Sequence, residues 1–311
     1  MTSIDYDRLF ATHREHLWGL CYRVTGSAAD ADDLVQDTFR RAIESPPPDR
    51  SRPWRPWLAT VATRLSIDAL RRRKARRYVG PWLPSPLETP PGDERGQLAS
   101  SQADMETRYG LRESVSFAFL RALEALNPVQ RATLVLRDVL GYSGPETAQV
   151  LEVSADNVRV ILHRARQALS RYDEERQPPS SSVDARHQAA LQRFMMALSS
   201  GDAARIAECL AQEVRVSTDG GGRYRASTKP VVGRDRVASF FVGLLLHGGP
   251  PVAADFRLIS GRPGIVSRQP VNHPRDAPRA CMTFDLDAND QIVDIHVVSM
   301  PDKLGALSFP G

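Results

Sequence analysis

The chain has 311 residues, 41% of them hydrophobic and 25% charged, and a formal net charge of +4. This length suits two or three globular domains. Because it contains no apolar run long enough to cross a bilayer and begins without the features of a secretory signal, we expect a cytoplasmic protein with no membrane span. The cysteines Cys21, Cys209 and Cys281 form no CxxC pair, so we expect no metal site.

Three amphipathic helices are predicted in the first block, residues 5–78. Apolar side chains recur at helical spacing between positions 9 and 21, 29 and 43, and 56 and 70. The third helix ends in a basic run, Arg71-Arg72-Arg73-Lys74-Ala75-Arg76-Arg77. A clustered positive face attracts phosphate groups even when the total charge is small, so this run indicates nucleic-acid binding. The alternative is an ordinary solvated helix end.

Residues 79–110 are predicted to form an unstructured or extended linker, since prolines at positions 81, 84, 86, 90 and 91 remove backbone donors. A second all-α block follows over 111–173, with helices predicted over 129–140 and 145–151 and a final helix capped by Ser154. The short turn before the final helix is typical of a helix-turn-helix, which reads DNA with its second helix. The alternative is a plain helical corner with a solvated basic face.

The composition changes after a second polar link, residues 174–184. Residues 185–300 are predicted to be an α+β domain, in which two helices precede β-type segments, and a tail follows over 301–311. The predicted strands are residues 214–217, 224–227, 252–260, 279–287 and 291–299, with a helix over 234–246. The last strand alternates apolar residues with Asp294 and His296, so it should have two different faces.

Several segments resemble a known family. The helix from Asp30 to Ala42 resembles the core-polymerase-binding helix of bacterial sigma factors of the extracytoplasmic-function (ECF) group. Residues 56–72 resemble their −10-reading and promoter-melting helix, and residues 126–139 and 162–166 resemble parts of their −35-reading domain. The resemblance implies an alternative sigma factor that binds core RNA polymerase (β′ and β subunits) and promoter DNA, and that is nucleoid-associated when bound to polymerase.

The resemblance assigns site residues in three groups. Polymerase binding is assigned to Asp30, Asp32, Asp33, Leu34, Val35, Gln36, Asp37 and Phe39. Binding and melting of the −10 element are assigned to Trp54, Trp57, Arg64, Arg71, Arg72, Arg73, Lys74, Arg76 and Arg77. Recognition of the −35 element is assigned to Ser154, Asn157, Arg159, His163, Arg164 and Arg166. The two tryptophans could stack on an unpaired base, and the alternative is that they pack on the domain itself.

The last third resembles the SnoaL-like branch of the NTF2 fold, a curved sheet wrapped on helices. Three motifs resemble signatures of ECF sigma factors with a fused SnoaL-like extension, as in the ECF41 group: Trp82-Leu83-Pro84, Asp219-Gly220-Gly221-Gly222 and Pro301-Asp302-Lys303-Leu304. The resemblance implies that the extension regulates the sigma factor in cis. We expect it to contact the linker through the glycine turn, because glycine tolerates positive φ and close backbone approach; the alternative for that turn is an ordinary hairpin.

Two other roles for the last domain stay open. An Asp or His in such a fold can serve as a general base, and Asp285, Asp294 and His296 are the candidates. A structural ion pair is the favoured interpretation, so we expect neither an enzyme nor a cofactor. Alternatively, the domain senses a small apolar ligand and changes how it contacts the other domains.

Overall fold

The computed structural model describes residues 4–76, 78–89 and 108–311. The chain divides into two compact units. The described residues of the first unit are 4–76, 108–115 and 119–176, and those of the second are 78–89, 116–118 and 177–311. The predicted domain boundaries stay predictions. In the structure, residue 78, linker residues 79–89 and residues 116–118 group with the C-terminal part of the chain.

The first unit begins with three helices: α1 (Tyr6–Thr25), α2 (Ala28–Glu44) and α3 (Trp54–Ala75). Local sequence sets their ends. The Asp5 carboxylate accepts from the Arg8 N–H and begins α1, Gly26 ends it in a left-handed conformation, and Ser27 caps α2. The three helices bury their apolar stripes against one another, as the helical spacing predicts.

The rest of the first unit holds α4 (Phe117–Ala122), whose first residues group with the second unit, and α5 (Pro128–Leu134). It continues with α6 (Gly144–Leu151), α7 (Ala155–Ala168) and α8 (Ser170–Glu175). The predicted single helix over 129–140 is instead α5 followed by a wide π-helical turn, Val135–Val139. Within this unit, α3 lies against α5 and α6.

The second unit contains α9 (Ser181–Ser200), α10 (Ala203–Glu208), α11 (Arg234–Gly248) and a six-stranded sheet. Its strands are β1 (Leu210–Asp219), β2 (Val231–Val232), β3 (Ala253–Ile259), β4 (Arg262–Arg268), β5 (Arg279–Leu286) and β6 (Ile292–Val298). The spatial order is β2-β1-β6-β5-β4-β3, and β1 and β6 are the parallel pair among antiparallel neighbours.

One predicted strand was wrong, and one strand was missed. Residues 224–227 form no strand, and a short strand lies instead at Val231–Val232. Strand β4 was not predicted, and its first residues, Arg262-Pro263-Gly264, disfavour a strand, since proline is uncommon within strands. Pairing with β3 and β5 holds β4 in the sheet despite these residues.

Each face of the sheet has its own apolar cluster. On one face, Phe194, Ile206 and Phe241 from the three helices pack against the strands. The other face is covered by the linker residue Leu83, by Phe117 and by the tail residue Leu304. The linker also extends the sheet at its edge: the Thr89 N–H donates to the Leu258 carbonyl at 2.8 Å, and the Ser260 N–H donates to the Leu87 carbonyl at 2.6 Å. Among the helices in the described ranges, none is long and apolar enough to span a membrane.

Candidate polymerase, promoter and linker-binding sites

Helix α2 presents an acidic surface. Asp32, Asp33 and Gln36 are exposed, whereas Asp30 and Asp37 are half-buried. Three apolar residues predicted for polymerase binding lie in the helical core instead, namely Leu34, Val35 and Phe39. Their burial holds α2 against α1 and α3, so in this structure the surface open to a partner is the carboxylate-rich one.

The end of α3 presents most of the basic run to solvent. Arg71, Arg72, Lys74 and Arg76 are exposed, and Arg77 lies outside the described residues. Trp54 and Trp57 are half-buried at the other end of α3, with their rings edge to face and their centroids 5.9 Å apart. Each indole therefore keeps part of its surface available for stacking.

Two other predicted DNA-binding arginines bind carboxylates inside the first unit. Arg73 donates to Glu124 Oε1 at 2.7 Å and to the Thr25 carbonyl at 2.6 Å. Arg64 forms an ion pair with Glu152, which ends α6 in a left-handed conformation with φ 55°. Glu124 and Glu152 belong to the helical block that contains the helix-turn-helix. Their carboxylates neutralise part of the positive charge of α3.

Side-chain caps set the start of both helices of the helix-turn-helix. Ser143 and Glu146 form a reciprocal capping box at α6, and Ser154 Oγ accepts from the Asn157 N–H at 3.1 Å at α7. Val158 and Leu162 pack inward. The opposite side of α7 is exposed and carries Asn157, Arg159, Val160, His163 and Arg164.

Arg166 differs from the rest of its predicted group. Its guanidinium donates to both carboxylate oxygens of Asp138, at 2.8 and 2.6 Å, and the Asp138 side chain is only 3% exposed. These hydrogen bonds raise the pKa of Arg166. Arg166 thus joins α7 to the wide turn after α5 and neutralises a buried carboxylate, a role that helical periodicity does not reveal.

The three motifs of the linker, glycine turn and tail meet at one buried ion pair. Asp219 Oδ2 lies 2.6 Å from Lys303 Nζ, and the two residues are 1% and 6% exposed. Lys303 Nζ also donates to the Leu83 carbonyl at 2.6 Å, and the Leu83 N–H donates to Asp219 at 2.8 Å. We call the set formed by Asp219, Lys303, Tyr78, Trp82 and Leu83 the linker clamp.

Aromatic rings complete the linker clamp. The ammonium of Lys303 lies 4.3 Å from the Trp82 ring centroid and 4.8 Å from that of Tyr78, and the Tyr78 hydroxyl donates to Asp219 at 2.5 Å. Such rings stabilise a cation where water is excluded. Sequence reasoning missed Tyr78, although an aromatic residue directly after a basic run was a possible signal.

The glycine turn brings backbone close to its neighbours. Gly221 and Gly222 have φ of 59° and 74°, and the Gly221 N–H donates to Asp219 at 3.1 Å. A Cβ at Gly221 would collide with Met300, and one at Gly222 would lie 3.2 Å from Val79. Pro84 and Leu304 are buried, whereas Asp302 is exposed.

The enzyme candidates lie on the linker side of the sheet. Ile295 of β6 packs with the helices, so Asp294 and His296 point to the opposite face. Asp294 binds Arg215 at 2.9 Å, and His296 Nε2 lies 3.1 Å from Asp285 Oδ2. Within the described ranges, no cluster of His, Cys, Asp and Glu side chains could hold a metal ion.

Comparisons with known proteins decide the family. The chain matches the models of Sigma-70 region 2 over residues 9–76 and of Sigma-70 region 4 over residues 116–169. It is 34% identical, over 261 residues, to the ECF RNA polymerase sigma factor SigJ of Mycobacterium tuberculosis, covering 82% of this chain and 78% of that protein. The chain belongs to the ECF sigma factor family. As an ECF sigma factor it recognises promoters and initiates transcription with core RNA polymerase.

The likeness to this ECF sigma factor family extends along the chain. The probable ECF sigma factor SigI of M. tuberculosis is 28% identical over 299 residues, covering 95% of this chain and 93% of that protein. The crystal structure of SigJ matches with a TM-score of 0.73 and 27% identity, over 96% of this chain and 98% of that one. The predicted sigma-factor function is confirmed. So is the predicted fold class, two helical domains followed by an α+β domain.

Proposed function

We propose that this sigma factor binds core polymerase, at its β′ and β subunits, through the acidic surface of α2. The support is the exposure of Asp32, Asp33 and Gln36 on a helix that its own caps and buried stripe hold in place. Exposed carboxylates suit a basic protein partner and repel DNA phosphate. Leu34, Val35 and Phe39 contribute by positioning the helix.

Promoter contacts are divided between α3 and α7. The exposed cations at the end of α3 suit phosphate binding beside the −10 element, and Trp54 and Trp57 suit stacking on an unpaired base. The exposed side chains of α7 suit the −35 element. Asn157 and Arg159 are near its N-terminus, where such helices meet base edges, and His163 and Arg164 follow.

Variants on α2 and α7 separate these roles. In transcription with purified core polymerase, Asp33→Asn should weaken core binding, whereas Asp7→Asn on α1 is the matched control. Arg159→Ala should lower output from a promoter that needs its −35 element. Arg171→Ala, which removes an equally exposed arginine on α8, should not. Equal effects of the two arginine variants would contradict the assignment of α7.

The C-terminal domain regulates these activities by holding the linker. The observation that carries this proposal is the linker clamp, in which a buried Asp219–Lys303 pair binds both the N–H and the carbonyl of Leu83. The linker joins region 2 to region 4 along the chain. Its reach depends on whether residues 78–89 are held on the sheet or free, because chain bound to a surface cannot extend.

Truncation tests this regulation. Transcription by the full chain is compared with that of chains ending at Met300, which lacks Lys303, and at Arg176, which keeps the first unit and lacks the whole C-terminal domain. Altered promoter output from both shorter chains, at equal core binding, is the expected result. Unchanged output from both would refute regulation by the C-terminal domain and leave the sigma-factor function intact.

A further inference from the structure

Phe117 covers a polar part of the sheet in the second unit. Its ring lies parallel to the His296 imidazole, with an interplanar angle of 11° and centroids 5.5 Å apart. Phe117 is 5% exposed and His296 is 1% exposed. His296 Nε2 lies 3.1 Å from Asp285 Oδ2, so the imidazole beneath the ring is itself held in place.

His296 is the centre of a row of polar side chains. Ser217 of β1 and Thr283 of β5 are its two cross-strand neighbours, and both are buried. The hydroxyl of Thr283 is buried and has no hydrogen-bond partner among the residues that the structure describes. An unsatisfied buried hydroxyl costs about 1–3 kcal/mol, a cost that the hydrogen-bonding group of a bound molecule would remove.

The neighbouring row of side chains on the same face is apolar, unlike the polar row that contains His296. There Val298, Cys281 and Val266 pair across the strands, and they pack with Leu83 and Leu304. Apolar residues thus cover apolar residues under the linker and tail. Phe117 instead stacks on the buried His296, whose cross-strand neighbours Ser217 and Thr283 are buried polar residues.

We propose that the Phe117 ring occupies a binding site for a small planar aromatic molecule that carries one hydrogen-bonding group. Such a molecule stacks on His296 as Phe117 does, and its polar group pairs with the Thr283 hydroxyl. The molecule and Phe117 compete for the same imidazole face. This inference does not depend on the linker clamp.

Phe117 lies where the chain enters region 4, so its displacement by a bound molecule should affect that region. Phe117 is the first residue of α4, and it lies at the start of the Sigma-70 region 4 match. Displacement of its ring therefore acts on the residues through which the chain enters region 4. The site is a sensor whose resting state is filled by the protein's own side chain.

Phenol and benzene are matched probes of the site. Both are planar, and only phenol carries a hydrogen-bonding group. Benzene also enters dry cavities without specific recognition, so the preference for phenol is the diagnostic quantity. One satisfied neutral hydrogen bond predicts a preference of about three- to tenfold.

The experiment uses the full chain with 4-fluorophenylalanine at position 117. Phenol should shift its fluorine resonance saturably and at lower concentration than benzene does. Thr283→Val, which is nearly isosteric, should remove the preference. The same label at Phe194, which packs against Phe241 on the helix side of the sheet, is the control and should not respond at those concentrations.

A second variant tests the proposal without the fluorine label, which could itself alter the packing of residue 117. Phe117→Ala removes the competing ring, so phenol should bind it more tightly than the unlabelled wild-type chain, as measured by calorimetry. The absence of a saturable shift, equal affinity for phenol and benzene, or binding to Phe117→Ala no tighter than to wild type would each overturn the proposal.

Discussion

Replacing Lys303 with methionine should open the linker clamp. Methionine keeps much of the length of the lysine side chain and removes its charge. The variant leaves the Asp219 carboxylate 1% exposed without its cation, and leaves the Leu83 carbonyl without the Lys303 hydrogen bond. Asp219 retains its hydrogen bonds from Tyr78, Leu83 and Gly221.

The size of the effect follows from burial. Removing one partner of a buried ion pair costs about 3–5 kcal/mol, because a charge is left without compensation. The three remaining hydrogen bonds to Asp219 favour the lower end of this range. A loss of about 3 kcal/mol raises the equilibrium constant for local opening more than a hundredfold.

Native-state hydrogen exchange measures this opening at individual amides. The Leu83 N–H donates to Asp219 and the Leu87 N–H donates to Ser260 Oγ, so both amides report linker release. In Lys303→Met they should exchange more than a hundredfold faster, whereas amides in the core of α1 should keep their protection.

A double variant separates loss of the charge pair from loss of packing. Lys303→Met combined with Asp219→Asn removes both charges, so it should recover part of the protection that Lys303→Met alone loses. Unchanged exchange at the Leu83 amide in Lys303→Met would refute the claim that the Asp219–Lys303 pair holds the linker. So would an additive loss in the double variant, because additivity excludes coupling between the two residues.

Three further predictions concern single residues. Burial, followed by the charge of Arg55, lowers the pKa of His16 from 6.5 to about 4. The stability present above pH 6.5 should therefore fall by about 3 kcal/mol as the pH drops to 4. Urea unfolding measures this loss of stability, and the loss should be smaller in His16→Gln. Glu152→Gln should change stability by under about 1 kcal/mol and raise affinity for promoter DNA in anisotropy titrations, because it releases an exposed cation. Gly221→Ala should destabilise the glycine turn by more than about 1 kcal/mol in thermal unfolding, whereas Gly243→Ala on α11 should not.

Local sequence was sufficient for most of the helices. The caps at Ser27, Ser143 and Ser154 act over three residues, and the apolar stripes act over one or two helical turns. These interactions require no knowledge of distant segments. The same holds for the exposed side chains of α7, whose direction follows from helical periodicity once Val158 and Leu162 point inward.

Sheet pairing lay beyond local sequence. Pro263 and Gly264 disfavour a strand by propensity, and pairing on both sides overrides that preference in β4. The wide turn after α5 is a similar case. It places Asp138 where Arg166 from α7 can neutralise it, and no local pattern connects these two residues.

By itself the sequence determined the family, the order of the domains, the helix-turn-helix and the charge of each surface, because these depend on residue type and short-range spacing. Only the tertiary structure decided which charges remain available. It paired Arg73 with Glu124 and Arg166 with Asp138, joined Asp219 to Lys303 and Tyr78, and stacked Phe117 on His296. The physical reason is that a buried ion pair or ring stack depends on distances between residues far apart in the chain, and long-range packing alone sets those distances.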